Sequence, residues 1–157
     1  MSDVTPKWLG TMQRLIGVHE GLGAADNPII LGMATTIAKA FPEMQRYCAE
    51  YQHDEIPWCG LSVAYCMAVN GIRPPFDPTN ELRSFLWADA WSYWGRDLVT
   101  PVAGAVMIFT RNGGGHVALS TGTYTDTAFT VIGGNQSDQI SIINMPANKL
   151  TSIRWPN

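Results

Sequence analysis

The chain has 157 residues, 46% hydrophobic and 15% charged, with a formal net charge of −3. That balance fits a compact globular protein rather than a disordered one and predicts one domain over residues 1–157, burying roughly two thirds of its unfolded surface. No basic run or stripe marks a nucleic-acid footprint, and no run of about 18 apolar residues could span a membrane.

Helical spacing opens the chain. From Pro6 to about Gly21, Trp8, Leu9, Met12, Leu15 and Ile16 fall on one stripe, with Thr5 as cap and Pro6 as first helical residue. "GLGAADNP" is a turn-rich linker, and a second helix is predicted from Pro28 to Ala40, stopped at "FP". A short helical turn over Glu43 to Tyr51 precedes a third helix, from near Pro57 to the "NG" of Asn70 and Gly71. "IRPPFDPTN" carries too many prolines for regular structure, and "NELRSFLWADAWSYWG" resumes helical spacing with Trp87, Trp91 and Trp94 on one face.

After Pro101 the texture changes to short β-branched runs separated by Gly, Asn and Asp: "GAVMIF", "HVALST", "AFTVIG" and "QISIIN". Helices first and antiparallel strands second predict an α+β fold. The opening "MSDVTPKWLGTMQRLIG" lacks a basic region followed by an unbroken apolar core. Synthesis in the cytoplasm without a signal peptide is therefore expected.

Three cysteines, at 48, 59 and 66, make neither an even disulfide framework nor a zinc spacing. Cys59 and Cys66 on one helix are separated by a rise of about 10 Å, too far for a bridge. Cys59 stands out because it falls in the first turn of the third helix, behind Pro57, with Asp54 as a candidate cap. Unpaired N–H groups and the helix dipole there favour a thiolate, and a neighbouring N–H can stabilise an oxyanion. The competing reading is a small buried hydrophobe, which suits Cys48 and Cys66 better.

A thiol nucleophile needs a base, and the chain has three histidines. His116 opens a strand directly after "GGG", where its ring could face a helix end. His19 is better read as a partner of a helix C-terminus, and His53 sits in a polar loop. The next strand ends in "VIGGNQSD", which can bring Asn135 or Gln136 beside His116 to fix its tautomer. The alternative is a hairpin that uses Gly133, Gly134 and Asn135 for backbone freedom.

The order of cysteine, histidine and polar residue resembles the CHAP family of cysteine- and histidine-dependent amidohydrolases and peptidases, within the NlpC-type cell-wall hydrolases of papain-like fold. The motifs are "PWCGLSVAYCMAVNGI", "PVAGAVMIF", "GGHVALSTG" and "VIGGNQSDQISI", with an N-terminal "GVHEGLGAADNPIIL". They are similar to a subgroup found in bacterial and phage genomes. The resemblance implies Cys59 as nucleophile, His116 as base and Asn135 as orienter. Many members carry Glu two residues before that Asn, where this chain has Gly133. Some relatives bind calcium near the cysteine, but Asp54 and Glu55 offer too few oxygens; no metal and no cofactor are expected.

The implied substrate is an amide bond of bacterial peptidoglycan, cut by a monomer acting as a phage endolysin, a tail lysin or a secreted effector. An immunity protein or a phage structural protein would be the partner in such settings. Candidates for substrate contact are Trp58, Gln136, Trp91 and Arg111. For Trp91, as for Trp87, packing in the core competes with stacking on sugar. Two rivals remain: a non-catalytic wall-binding or phage structural module, and a thiol hydrolase of another amide.

Overall fold

The computed structural model describes residues 4–22, 25–49, 51–53 and 57–157. Pro6 precedes the first helix, α1 (Lys7–Gln13), as an extended N-cap, and no side chain caps the helix. Thr5 therefore does not have the capping role expected of it. The helix is also shorter than its apolar stripe implied: residues 14–17 turn out of it, and Gly17 takes φ +93°. Leu9 and Met12 are buried, whereas Ile16 is left half exposed.

The second helix, α2 (Pro28–Ala40), has the predicted bounds. Asn27 accepts from the Ile29 N–H at 2.9 Å, Pro28 needs no donor of its own there, and Pro42 stands just beyond the end. Ile30, Met33, Ala34, Ile37 and Ala38 form its buried face. A 3-10 turn at Pro42–Met44 and the single turn α3 (Gln45–Cys48) lead towards α4 (Cys59–Ala68). Gly71 follows α4 in the left-handed region, at φ +74°.

The tryptophan-rich segment departs from expectation. In place of one helix it forms two 3-10 turns, Glu81–Arg83 and Ala88–Tyr93; the rings of Trp91 and Trp94 still meet edge to face at 5.1 Å, and Trp87 stands apart from the buried Trp91. Trp91 is fully buried and Trp87 is 47% exposed.

Among the described residues six strands follow: β1 (Arg96–Asp97), β2 (Val106–Arg111), β3 (Gly114–Tyr124), β4 (Ala128–Gly133), β5 (Ser141–Pro146) and β6 (Leu150–Trp155). They form one antiparallel sheet in the order β1-β6-β2-β3-β4-β5. Alternation along β2 and β3 sorts the core into two faces. Val106, Ile108, Val117 and Leu119 join the helices in the main cluster, while Met107, Phe109 and Ala118 belong to a second cluster with Val131 and Ile153. Helices packed against an antiparallel sheet make the chain α+β, consistent with a papain-like arrangement. Among the described residues, no helix is long and apolar enough to cross a membrane.

Candidate active site

Cys59 is the first residue of α4, so its sulfur stands where the helix leaves its N–H groups unpaired. Trp58 is the N-cap and contributes no side-chain cap; Asp54, the expected cap, and Glu55 lie outside the described residues. Gly60 explains how tightly this turn is held. A Cβ there would lie 2.2 Å from the Phe85 carbonyl oxygen, so only glycine lets α4 start against that backbone.

The rest of the turn is clamped to the far end of β4. Ser62 Oγ donates to the Cys59 carbonyl at 2.8 Å and accepts from the Gly134 N–H at 3.2 Å. A Cβ on Gly134 would sit 2.6 Å from the Trp58 ring, and Trp58 Nε1 donates to Glu20 Oε1 at 2.9 Å. Trp58 is fully buried. It is a strut between two backbone segments and offers no surface to a substrate, contrary to the expectation from its position beside Cys59.

That clamp carries the next residues to the histidine. Asn135 adopts φ +57°, a left-handed conformation that Asn tolerates better than most residues. The turn it makes directs Gln136 back over β3. His116 Nε2 then pairs with Gln136 Oε1 at 2.9 Å, and Gln136 Nε2 donates to the Ser141 carbonyl at 2.6 Å. Because the amide's own N–H group is used on Ser141, its oxygen faces the ring, which places the imidazole proton on Nε2. Among the described residues no hydrogen bond joins Asn135 to His116. The geometry thus corrects the expected orienter: Gln136 holds the ring, and Asn135 shapes the turn that delivers it. Gln136 is 3% exposed, too enclosed to serve as the substrate contact expected of it.

With Nε2 committed, the free lone pair of His116 is on Nδ1. Arg111 Nη1 stands 3.5 Å from that atom. Burial holds the ring at about 4, with Gln136 opposing and the Arg111 charge adding to the depression. Burial also pushes the Cys59 thiol up, against the pull of the Val117 N–H, the Arg111 charge and the first N–H groups of α4. The helix end therefore eases ionisation without overcoming desolvation, and burial favours the neutral form of both groups.

The two groups meet through shared neighbours. The Val117 amide, directly after His116, faces the Cys59 sulfur, and Arg111 acts on both. Sulfur and ring make no hydrogen bond with each other in this state. Cys59 lines a cavity of about 340 Å³ together with Tyr51, Glu81, Leu86, Trp87, Arg111 and the Gly113–Gly115 backbone. His116 is 1% exposed and lies behind that wall.

The remaining candidates separate cleanly. Trp91 is buried and its Nε1 donates to the Phe85 carbonyl at 3.1 Å, so it packs instead of binding substrate; Trp87 lines the cavity in its place. The 3-10 geometry separates Trp87 from Trp91, which helical spacing places on one face, and leaves Trp91 packed on Trp94. Arg111 does reach the cavity. His19 lies beyond α1 and bridges Gln139, while His53 is exposed and faces Asp26 at 3.3 Å. Cys48 and Cys66 are free and buried.

Neither the comparison with curated proteins nor that with solved structures returned a significant match. A family model for the CHAP domain matches residues 45–135, a span that contains Cys59, His116 and Asn135 and covers more than half of the chain. Members of that family are generally cysteine- and histidine-dependent hydrolases, and with this match the chain belongs to the CHAP family.

Proposed function

We propose that the protein is a peptidoglycan hydrolase, an amidase or endopeptidase that cuts an amide bond by thiol acyl transfer. The observation that carries the reading is the convergence of Cys59, at the head of α4, with the His116–Gln136 pair across the Val117 amide. In this reading His116 Nδ1 takes the thiol proton as the sulfur attacks the scissile carbonyl. The N–H groups of the first turn of α4 receive the developing oxyanion. The ring then passes its proton to the departing amine, leaving a thioester. Water attacks the thioester, gives a proton to Nδ1, and the acid product leaves as that proton returns to sulfur.

Gln136 supports this chemistry by keeping the proton on Nε2, so that Nδ1 stays basic through each turnover. Trp87, Leu86 and Tyr51 supply apolar walls suited to a peptide or the face of a sugar. The biological setting that fits is a phage lysin or a secreted antibacterial effector.

The test is digestion of purified sacculi with analysis of soluble fragments by mass spectrometry, comparing the native protein with Cys59→Ala. Release of muropeptides by the native chain and none by the variant is the expected result. Equal release by both would remove the thiol mechanism. A second reading, a wall-binding module without turnover, is favoured by the enclosure of His116 and the missing sulfur–ring hydrogen bond. It expects both proteins to co-sediment with sacculi and neither to release fragments.

A further inference from the structure

The β2–β3 hairpin presents Arg111 to the cavity in an unusual position. Its guanidinium stands at the one ring nitrogen that Gln136 leaves free, yet a guanidinium cannot accept the proton that this atom must exchange. Among the described residues no carboxylate lies within ion-pair distance of Arg111. Glu81 lines the same cavity and makes no ion pair with the guanidinium. The guanidinium thus faces a walled, partly apolar space, its planar fork unmatched by any carboxylate among the described residues.

We propose that Arg111 anchors a free carboxylate on the residue flanking the scissile amide, so that the site selects acidic peptides over their neutral counterparts. This rests on the hydrolase reading for its substrate, though the anion site itself does not. A carboxylate forms two parallel charge-assisted bonds with a guanidinium, stronger than a single 3.5 Å approach to a neutral imidazole. Binding therefore draws the fork off Nδ1 and leaves that lone pair to the thiol. The same contact positions the substrate and unblocks the base.

Two small probes separate anion recognition from thiol reactivity. Iodoacetate and iodoacetamide alkylate sulfur identically, with a carbon–sulfur bond formed and iodide expelled, and differ in one carboxylate. The ratio of their rates at Cys59, followed by peptide mass mapping at pH 8, cancels any change in thiolate fraction. In the native protein that ratio is expected to exceed the ratio in the urea-unfolded chain by about tenfold, and Arg111→Gln should return it to within about twofold. Arg111 is exposed on a hairpin, so the variant keeps the fold.

A ratio unchanged by Arg111→Gln would overturn the anion site. Sacculi whose carboxylates have been converted to amides form the second arm. The native protein should cut these about tenfold more slowly than untreated sacculi, and Arg111→Gln should cut both alike; equal cutting of both by the native protein would overturn the substrate preference. If untreated sacculi resist the native protein, the hydrolase reading fails, and the alkylation ratio alone decides the carboxylate site.

Discussion

His116 Nε2 and Gln136 Oε1 lie 2.9 Å apart, and the amide is itself pinned by the Ser141 carbonyl. This places the orienting group one residue beyond Asn135, whose contribution is conformational. Substituting the two residues should therefore give different signatures. Gln136→Ala leaves a buried ring N–H without an acceptor, costing about 1–3 kcal/mol of stability, and lets the tautomer drift. Lysis of sacculi should fall by about tenfold or more. Asn135→Gly keeps the left-handed turn and should retain most activity, whereas Asn135→Val strains it by about 1–2 kcal/mol. Urea unfolding and lysis rates on the same preparations check both; a larger activity loss in Asn135→Gly than in Gln136→Ala would restore Asn135 as orienter.

The buried imidazole also sets an acid limit on stability. The folded ring titrates at about 4 and the unfolded ring near 6.5, so the unfolded chain binds more protons in between. The contribution is complete above pH 6.5 and is lost as the pH falls towards 4, reaching about 3 kcal/mol. Urea midpoints measured from pH 7.5 to 4.0 should show this decline. His116→Asn should flatten it, and parallel curves for the two proteins would show that another group is responsible.

The tryptophans divide by burial. Trp58→Ala and Trp91→Ala each empty a fully buried site and should cost about 3–5 kcal/mol. Trp58→Phe retains most of the packing against Gly134 but loses the bond to Glu20, at about 1–2 kcal/mol. Trp87→Ala should change stability by no more than about 0.5 kcal/mol while raising the KM for wall fragments about threefold to tenfold. An unchanged KM would take Trp87 out of the binding surface.

Two glycines make a paired test of close approach. Gly60→Ala drives a methyl group into the Phe85 carbonyl and should cost about 3 kcal/mol or more, with loss of lysis. Gly32→Ala places its methyl in open space within α2 and should stabilise by about 0.5–1 kcal/mol. Thermal melts of the two variants beside the native protein provide the measurement.

Local signals carried much of the architecture. Asn27, Pro28 and Pro42 bracket α2 by their own backbone chemistry, and Cys59 behind Pro57 marks the head of α4. Signals that depend on partners were weaker. No residue pattern marks a strand at Arg96–Asp97, a two-residue segment defined only by its pairing to β6. The strand at Leu150–Trp155 is equally faint in the sequence, because Thr151, Ser152 and Arg154 dilute its apolar pattern. Choosing Gln136 over Asn135 required the φ of residue 135, which no side-chain pattern encodes. The ease of ionising Cys59 was misjudged because helix-end electrostatics can be read from sequence and desolvation cannot.

The brace that runs from Glu20 through Trp58 to Gly134, with Ser62 beside it, joins the N-terminal region to the strand ends behind the cavity. A mutagenesis screen scored only by lysis would rank Glu20, Ser62 and Gly134 with Cys59, although none of the three lines the cavity. Scoring soluble, folded yield alongside lysis would move them into their own class, because their loss loosens the scaffold before it touches the chemistry.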